Sequence, residues 1–293
     1  MITAPPNFAP HRRRSRSSRL LLALIKAPIS AWFGLLVVVS YTVVAAFAPW
    51  IAPYGEMQVF SQSFAPWSDE FPLGTDQLGR DLLSRLIYGA RNSIGIAFAT
   101  TLLSFTVGIA LGLLAAMRRG WLDQALSRAV DALMSIPSLI FSLMLLSVFG
   151  SSIPSLIIII ALLDSTRVFR LSRATGLNVV VMEYVEAAKL RGETSAWIIR
   201  NEILPNIMPP LVAEFGLRFC FVFLTISALS FLGVGIQPPT ADWGSMVREN
   251  AGLITYGDIT PLLPAGAIAL LAVSVNFVVD WFLHSTSGLR DET

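Results

Sequence analysis

The chain alternates between long apolar runs and shorter polar segments. Six runs approach the length of about 20 residues that a helix needs to cross a bilayer. They are Ala31–Ile51, Ile94–Met117, Ala132–Gly150, Ser152–Phe169, Pro209–Gly235 and Pro261–Val279. Because the runs are continuous and do not alternate with polar residues, they indicate helices and not membrane-spanning strands. The pattern predicts an all-α polytopic membrane protein with about six transmembrane helices.

The fourth run is the least apolar, because only IPSLIIIIALL precedes Asp164 and Arg167. A re-entrant hairpin formed with the third run is the alternative to a full span. Pro137 and Pro154 are expected to kink these helices or to mark their ends.

The first polar segment after an apolar run, Ala52–Ser93, is rich in turn residues. Thr75 or Asp76 could cap a helix with the sequence LGRDLLSRLIYGAR, whose apolar positions recur with helical spacing. We expect this helix to be short and interfacial, on the outer face of the membrane.

Lysine and arginine are distributed unevenly between the two sides that six spans would create. Sixteen lie at the termini, in the loop after the second run and in the segment from Arg167 to the fifth run, and four lie in the other two loops. The positive-inside rule therefore predicts that both termini are cytoplasmic. The predicted parts are a basic cytoplasmic segment 1–30, a transmembrane domain 31–285 with outer loops 52–93 and 237–260 and a cytoplasmic loop 170–208, and a cytoplasmic tail 286–293.

Composition supports a membrane protein and narrows its chemistry. Hydrophobic residues make up 54% of the chain and charged residues 14%, with a mean hydropathy of +0.67, whereas soluble domains are about a quarter charged. The net charge of +2 gives no argument for a nucleic-acid partner. One cysteine and two distant histidines argue against a disulfide framework and a zinc site.

The sequence lacks the motifs of ATP hydrolysis and of common hydrolases. Neither of the two lysines, Lys26 and Lys189, follows a glycine or precedes serine or threonine, so no phosphate-binding loop of the P-loop kind exists. H-E-x-x-H and G-x-S-x-G are also absent. We therefore assign no catalytic and no metal-binding residue.

Charged residues and glycines inside the spans suggest specific helix contacts. Glu214 and Arg218 stand four apart, and Asp164 and Arg167 stand three apart, which favours an ion pair within each helix. Gly108-x-x-x-Gly112 in the second run predicts close helix packing.

The polar stretch Glu183–Pro210 lies between two apolar runs and is punctuated by helix signals. Gly192 suits the end of a first short helix, and Thr194 or Ser195 can cap a second one. Pro205 is expected to end the second helix. The stretch predicts a bent helix pair that docks on a partner, with small residues allowing close backbone approach.

Five motifs in order make this chain resemble the permeases of ABC importers. Glu186-Ala187-Ala188 followed by Gly192 and Leu204-Pro205 resembles their cytoplasmic EAA signature. The other motifs are PLGTDQLGRDLLSRLIYGAR, DALMSIPSLI, ILPNIMPPL and FLGVGIQPPTADWGSM. The branch that these motifs resemble is the dipeptide, oligopeptide and nickel group, in particular its C-type subunit.

The resemblance implies a type I ABC importer-like permease in a bacterial inner membrane. Its partners would be a homologous second permease, two ATP-binding subunits that hold ATP and Mg, and an extracytoplasmic substrate-binding protein. Glu186, Ala187, Ala188 and Gly192 would form the coupling helix, and Leu204-Pro205 would close it. Arg80 and Asp81 would lie on the outer side, where the binding protein docks.

Two questions stay open at the level of sequence. A secondary transporter or channel that works without ATPases is the alternative function. Di- or oligopeptides are the expected cargo, although nickel, glutathione and peptide-like antibiotics are carried by similar systems.

Ser227 and Ser230 are candidates for the translocation path. Glu193-Thr194 and Asp164 depart from the family pattern.

Overall fold

A computed structural model describes residues 27–60 and 62–287 and shows eleven α-helices in that part of the chain. They are α1 Ile29–Ala46, α2 Ala48–Ile51, α3 Leu82–Met117, α4 Trp121–Met134, α5 Ser138–Phe149, α6 Ile153–Val180, α7 Glu183–Leu190, α8 Ser195–Ile198, α9 Leu204–Phe231, α10 Trp243–Asn250 and α11 Leu262–Ser287. A π-helical turn, Ile199–Ile203, joins α8 to α9, and a 3-10 helix, Ala251–Tyr256, follows α10. Most of the predicted basic segment 1–30 and of the tail 286–293 lies outside the described residues.

The helices confirm the all-α polytopic prediction. Within the described residues, four helical segments are long and apolar enough to cross a membrane: α1, α3, the continuous α8–α9 segment and α11. The bent pair α4–α5 gives a fifth candidate. Helix α6, the predicted fourth span, has 28 residues. It contains too many charged residues to count among these membrane-spanning candidates.

The predicted short interfacial helix and second span form one helix. Helix α3 runs without a break over 36 residues, which at 1.5 Å per residue makes it about 54 Å long. Its N-cap is Asp81, whose carboxylate accepts a hydrogen bond from the Ser84 amide at 2.8 Å. The prediction that Thr75 or Asp76 caps this helix was therefore wrong. The Asp76 carboxylate instead pairs with Arg80 and Arg85.

The predicted third span, Ala132–Gly150, is broken. Helix α4 ends at Met134 and α5 begins at Ser138, with a bend of 89° between them. Pro137 stands at the break, where it has no amide to donate and disfavours a helical conformation in the residue before it. Pro154 lies in the first turn of α6, a position that tolerates proline. Both prolines thus mark helix ends.

Helices α3 and α6 pack closely along one another, and glycines make this contact possible. A Cβ atom on Gly108 would lie 2.6 Å from Val168 Cβ, and one on Gly112 would lie 2.0 Å from Ser172 Oγ. The Ser172 hydroxyl donates to the Gly108 carbonyl at 3.0 Å. The helix-packing role predicted for the two glycines is confirmed.

At the opposite end of α3 from α7 and α8, a buried charge network ties the loop 52–81 to α10. We call this end of the molecule the loop end. Asp76 accepts from Arg80 Nε at 2.6 Å and lies 3.4 Å from Arg85 Nε. Glu249 accepts from Arg80 at 3.2 Å and from Arg85 at 3.3 Å. Two acids and two arginines therefore neutralise one another away from solvent.

This network corrects the expectation that Arg80 and Asp81 form a docking surface. Arg80 is 3% and Asp81 2% exposed, so both hold the loop in place and neither is available to a partner.

Asp242, the N-cap of α10, is buried in the same region and accepts from Ser93 Oγ at 2.8 Å. Burial raises the pKa of the Asp242 carboxyl, against the opposing effect of its hydrogen bonds.

Replacing Glu249 with glutamine is expected to destabilise the loop end by about 2 kcal/mol, because the arginines lose one of their two buried counter-charges. Thermal unfolding of the protein in detergent would measure this loss. Glu70→Gln is the matched control, since Glu70 lies in the loop 52–81 at the same end of the molecule but is exposed. Equal unfolding temperatures for both variants and the wild type would show that the network contributes no stability.

Candidate functional site

The predicted bent helix pair exists as α7 and α8, at the end of α3 away from the loop end. Its inward side is apolar: Val185 and Ala188 of α7 and Ile198 of α8 are buried. They belong to one cluster with Leu113, Ala116, Val180, Ile203 and Ile207. The pair is therefore fixed to the ends of α3, α6 and α9 and is not a loose loop.

The outward side of α7 is open to a partner. Glu186 and Ala187 are exposed, in contrast to Ala188, which is 0% exposed. Leu190, at the tip of the helix, is 85% exposed, and Tyr184 is exposed as well. Exposed apolar side chains grouped on one surface are a feature of protein–protein contacts. The EAA triplet is thus divided between an exposed and a buried role.

The turn between α7 and α8 depends on Gly192. Its φ is +83°, in the left-handed region that favours glycine. The Gly192 amide donates to the Lys189 carbonyl at 3.0 Å and the Glu193 amide donates to Ala188 at 3.2 Å, which is the Schellman arrangement of a helix C-terminus. Thr194 then caps α8 by accepting from the Trp197 amide at 3.3 Å. The stop at Gly192 and the cap at Thr194 are confirmed.

Leu204 and Pro205 do not end the second helix, contrary to the prediction. The backbone is helical from Ser195 to Phe231, with a π-helical turn from Ile199 to Ile203. Pro205 lies in the first turn of α9, where its missing amide costs little because the wider π turn precedes it. The pair α7–α8 is consequently continuous with a membrane-spanning helix.

Two charged clusters connect helices of the bundle, the first of them largely buried. Glu214 pairs with Arg218 Nε at 2.8 Å, as the i,i+4 spacing predicts. Asp164 does not form the predicted ion pair with Arg167. It accepts from Ser104 Oγ at 3.0 Å and lies 3.6 Å from Arg218 Nη1. The partners are on α3 and α9, so local spacing in the sequence could not reveal them.

The second cluster joins α4 to α6. Arg173 Nη2 donates to Asp123 at 2.7 Å, and Arg170 Nη2 donates to Asp131 at 2.6 Å. Sequence reasoning missed these pairs, because their members are 50 and 39 residues apart.

The two candidate path residues lie in the packed contact between α9 and the segment that follows it. Ser230 Oγ accepts from the Ile236 amide at 3.0 Å, and the Ser227 backbone lies against Gly244. Both serines are buried. A path role for them stays a prediction.

Family models match two parts of the chain. Residues 108–285 match the binding-protein-dependent transport system inner membrane component. Residues 29–68 match the N-terminal TM domain of oligopeptide transport permease C. The resemblance suggested by the five motifs is therefore confirmed.

Curated relatives cover most of the chain. The di/tripeptide transport system permease protein DppC of Pseudomonas aeruginosa (strain UCBPP-PA14) is 35% identical over 265 residues, which cover 88% of this chain and 85% of that protein. The dipeptide transport system permease protein DppC of Alkalihalophilus pseudofirmus is 32% identical over 260 residues, which cover 88% of this chain and 83% of that protein.

A solved structure of the MetNI methionine ABC transporter in an inward facing conformation shares the fold. The TM-score is 0.55 at 18% identity, over 68% of this chain and 94% of that one. Family, relatives and fold agree with one another. The chain belongs to the family of inner membrane components of binding-protein-dependent transport systems, the membrane permease subunits of ABC importers.

Proposed function

We propose that this permease imports small peptides and that the exposed side of α7 is where an ATP-binding subunit docks. The peptide cargo is supported by the relatives, which are permeases for dipeptides and tripeptides. Family membership makes the chain a transport subunit and not an enzyme, so ATP and Mg are bound by the ATPase partners.

The division of the EAA triplet carries the coupling proposal. Ala188 anchors α7 to the bundle, whereas Glu186 and Ala187 face outward beside the exposed Leu190. Because α8 continues into α9 without a break, a displacement of the docked pair moves a membrane-spanning helix directly. Closure of the ATPases would thereby tilt α9 and expose the path alternately to the two sides.

The remaining partners and the orientation complete the proposal. A homologous second permease forms the path together with this chain, two ATP-binding subunits dock at the α7–α8 end, and a substrate-binding protein docks at the loop end. The distribution of lysine and arginine supports cytoplasmic termini and a cytoplasmic α7–α8 pair. The membrane is the bacterial inner membrane.

Purification of this chain in mild detergent, after expression with its neighbouring genes, tests the assembly. We expect mass spectrometry to find a homologous permease and P-loop ATPases, and we expect the ATPases to be lost when Glu186 and Gly192 are changed. A chain that purifies alone and transports solute without ATP would contradict the proposal and favour a secondary transporter or channel.

A further inference from the structure

Helix α6 presents three arginines at intervals of three residues toward the side where α4 packs. Arg173 and Arg170 are each bound by an aspartate of α4, Asp123 and Asp131. These two pairs show how an arginine that serves helix packing is held at this contact.

Arg167, the third arginine of the series, has no such partner. It makes no ion pair within 4 Å in the described part of the chain and is exposed. Helix α4 ends at Met134 and the chain turns by 89°, so α4 cannot supply a third aspartate. The nearby Asp164 is bound to Ser104 and lies beside Arg218.

A cavity occupies the place where the third acid would stand. Its volume is about 130 Å³, and it is partly open to the surface. The residues that decide its chemistry are Met134, Pro137 and Ser138 on the bent pair and Leu163, Thr166 and Arg167 on α6. The Thr166 hydroxyl is already used, since it donates to the Leu163 carbonyl. Arg167 is thus the one cation among the cavity residues.

We propose that Arg167 and this cavity bind the carboxylate at the C-terminus of a peptide during its passage. The inference rests on the proposed peptide cargo. A guanidinium matches a carboxylate with two parallel hydrogen bonds, and every unmodified peptide carries one such group. The peptide supplies for Arg167 the counter-charge that α4 supplies for Arg170 and Arg173.

The test uses the complete transporter in proteoliposomes with ATP and its binding protein. Uptake of trialanine is compared with uptake of trialanine amide, which lacks the terminal carboxylate. Arg167→Gln is expected to lower trialanine uptake about tenfold, as loss of a hydrogen bond to a charged group predicts. Arg167→Lys keeps the charge but not the paired hydrogen bonds, so its uptake is expected to lie between those of the wild type and Arg167→Gln. The ratio of trialanine to trialanine amide uptake is expected to fall by the same factor in Arg167→Gln.

Arg170→Gln is the matched control, because Arg170 is already bound to Asp131. It is expected to change both uptakes equally and so to leave their ratio unchanged. An equal loss for both peptides in Arg167→Gln would show that Arg167 serves structure or a lipid headgroup, and would overturn the proposal. No loss would overturn it as well.

A second measurement does not depend on delivery of the amide. A photo-crosslinker placed at Ser138 is expected to label radioactive trialanine most strongly in the wild type, less in Arg167→Lys and least in Arg167→Gln. Equal labelling in all three would overturn the carboxylate site. Failure of the wild type to take up trialanine at all would instead contradict the proposed function itself, so the two failures are distinguishable.

Discussion

An Ala187→Arg variant is expected to lose ATP-driven peptide uptake while it folds and assembles with the second permease like the wild type. Ala187 is exposed beside Glu186, so a long cationic side chain can extend into solvent and need not disturb the packing of the bundle. On the docked surface, however, it would hold the ATPase away and leave a charge without a partner. Uptake into proteoliposomes, compared with the unfolding temperature of the same sample, measures both effects.

Ala188→Arg is the contrasting variant one residue further along α7. Ala188 is fully buried in the apolar cluster that anchors the pair, so this change should lower the unfolding temperature before any coupling can be assessed. Wild-type uptake by Ala187→Arg would refute the assignment of the docking surface.

Gly192→Pro should also abolish uptake. Proline cannot adopt the positive φ of Gly192, and it has no amide to donate the hydrogen bond found there.

A Gly112→Leu variant is expected to yield no folded protein. Its Cβ would lie 2.0 Å from Ser172 Oγ and 2.8 Å from the Phe169 carbonyl oxygen. The second contact is with backbone, so rotation of a side chain cannot relieve it, and α3 and α6 must separate. We expect a loss of more than about 3 kcal/mol, beyond the usual cost of an overpacked core. Size-exclusion chromatography of a fluorescent fusion in detergent measures the folded yield.

Gly95→Leu provides the control for this change within the same helix. A Cβ atom on Gly95 has no heavy atom within 4 Å, and the residue is exposed. Its folded yield should match that of the wild type. A normal yield for Gly112→Leu would show that the close approach of α3 and α6 is dispensable.

Local signals predicted the features that depend on a few neighbouring residues. The left-handed turn at Gly192, the cap at Thr194 and the pair of Glu214 with Arg218 were all readable, because each needs only backbone conformation or one helical turn. Close helix packing at Gly108 and Gly112 was also predicted correctly, because the two glycines lie one helical turn apart in the sequence. The anchoring role of Ala188 could not be predicted, because the sequence does not show which side of α7 faces the bundle.

Features that depend on distant partners could not be read from the sequence. Asp164 was assigned to Arg167 by spacing, whereas the fold brings Ser104 and Arg218 to it from two other helices. The π turn before Pro205 relieves the clash that made a helix end there seem necessary. Arg80 looked like a surface residue until the fold placed Glu249, 169 positions away, against it.

The charges of α6 are also expected to affect how the chain enters the bilayer during synthesis. A central charged residue costs about 2.5–3.5 kcal/mol on insertion of an isolated helix. Asp123 and Asp131 leave the ribosome before Arg170 and Arg173, so α4 is present to neutralise these arginines when α6 arrives. Asp164 must wait for Arg218 of α9. We therefore expect stable integration of α6 to be a late event in biogenesis, completed only when the helices on either side of it in the sequence have been made.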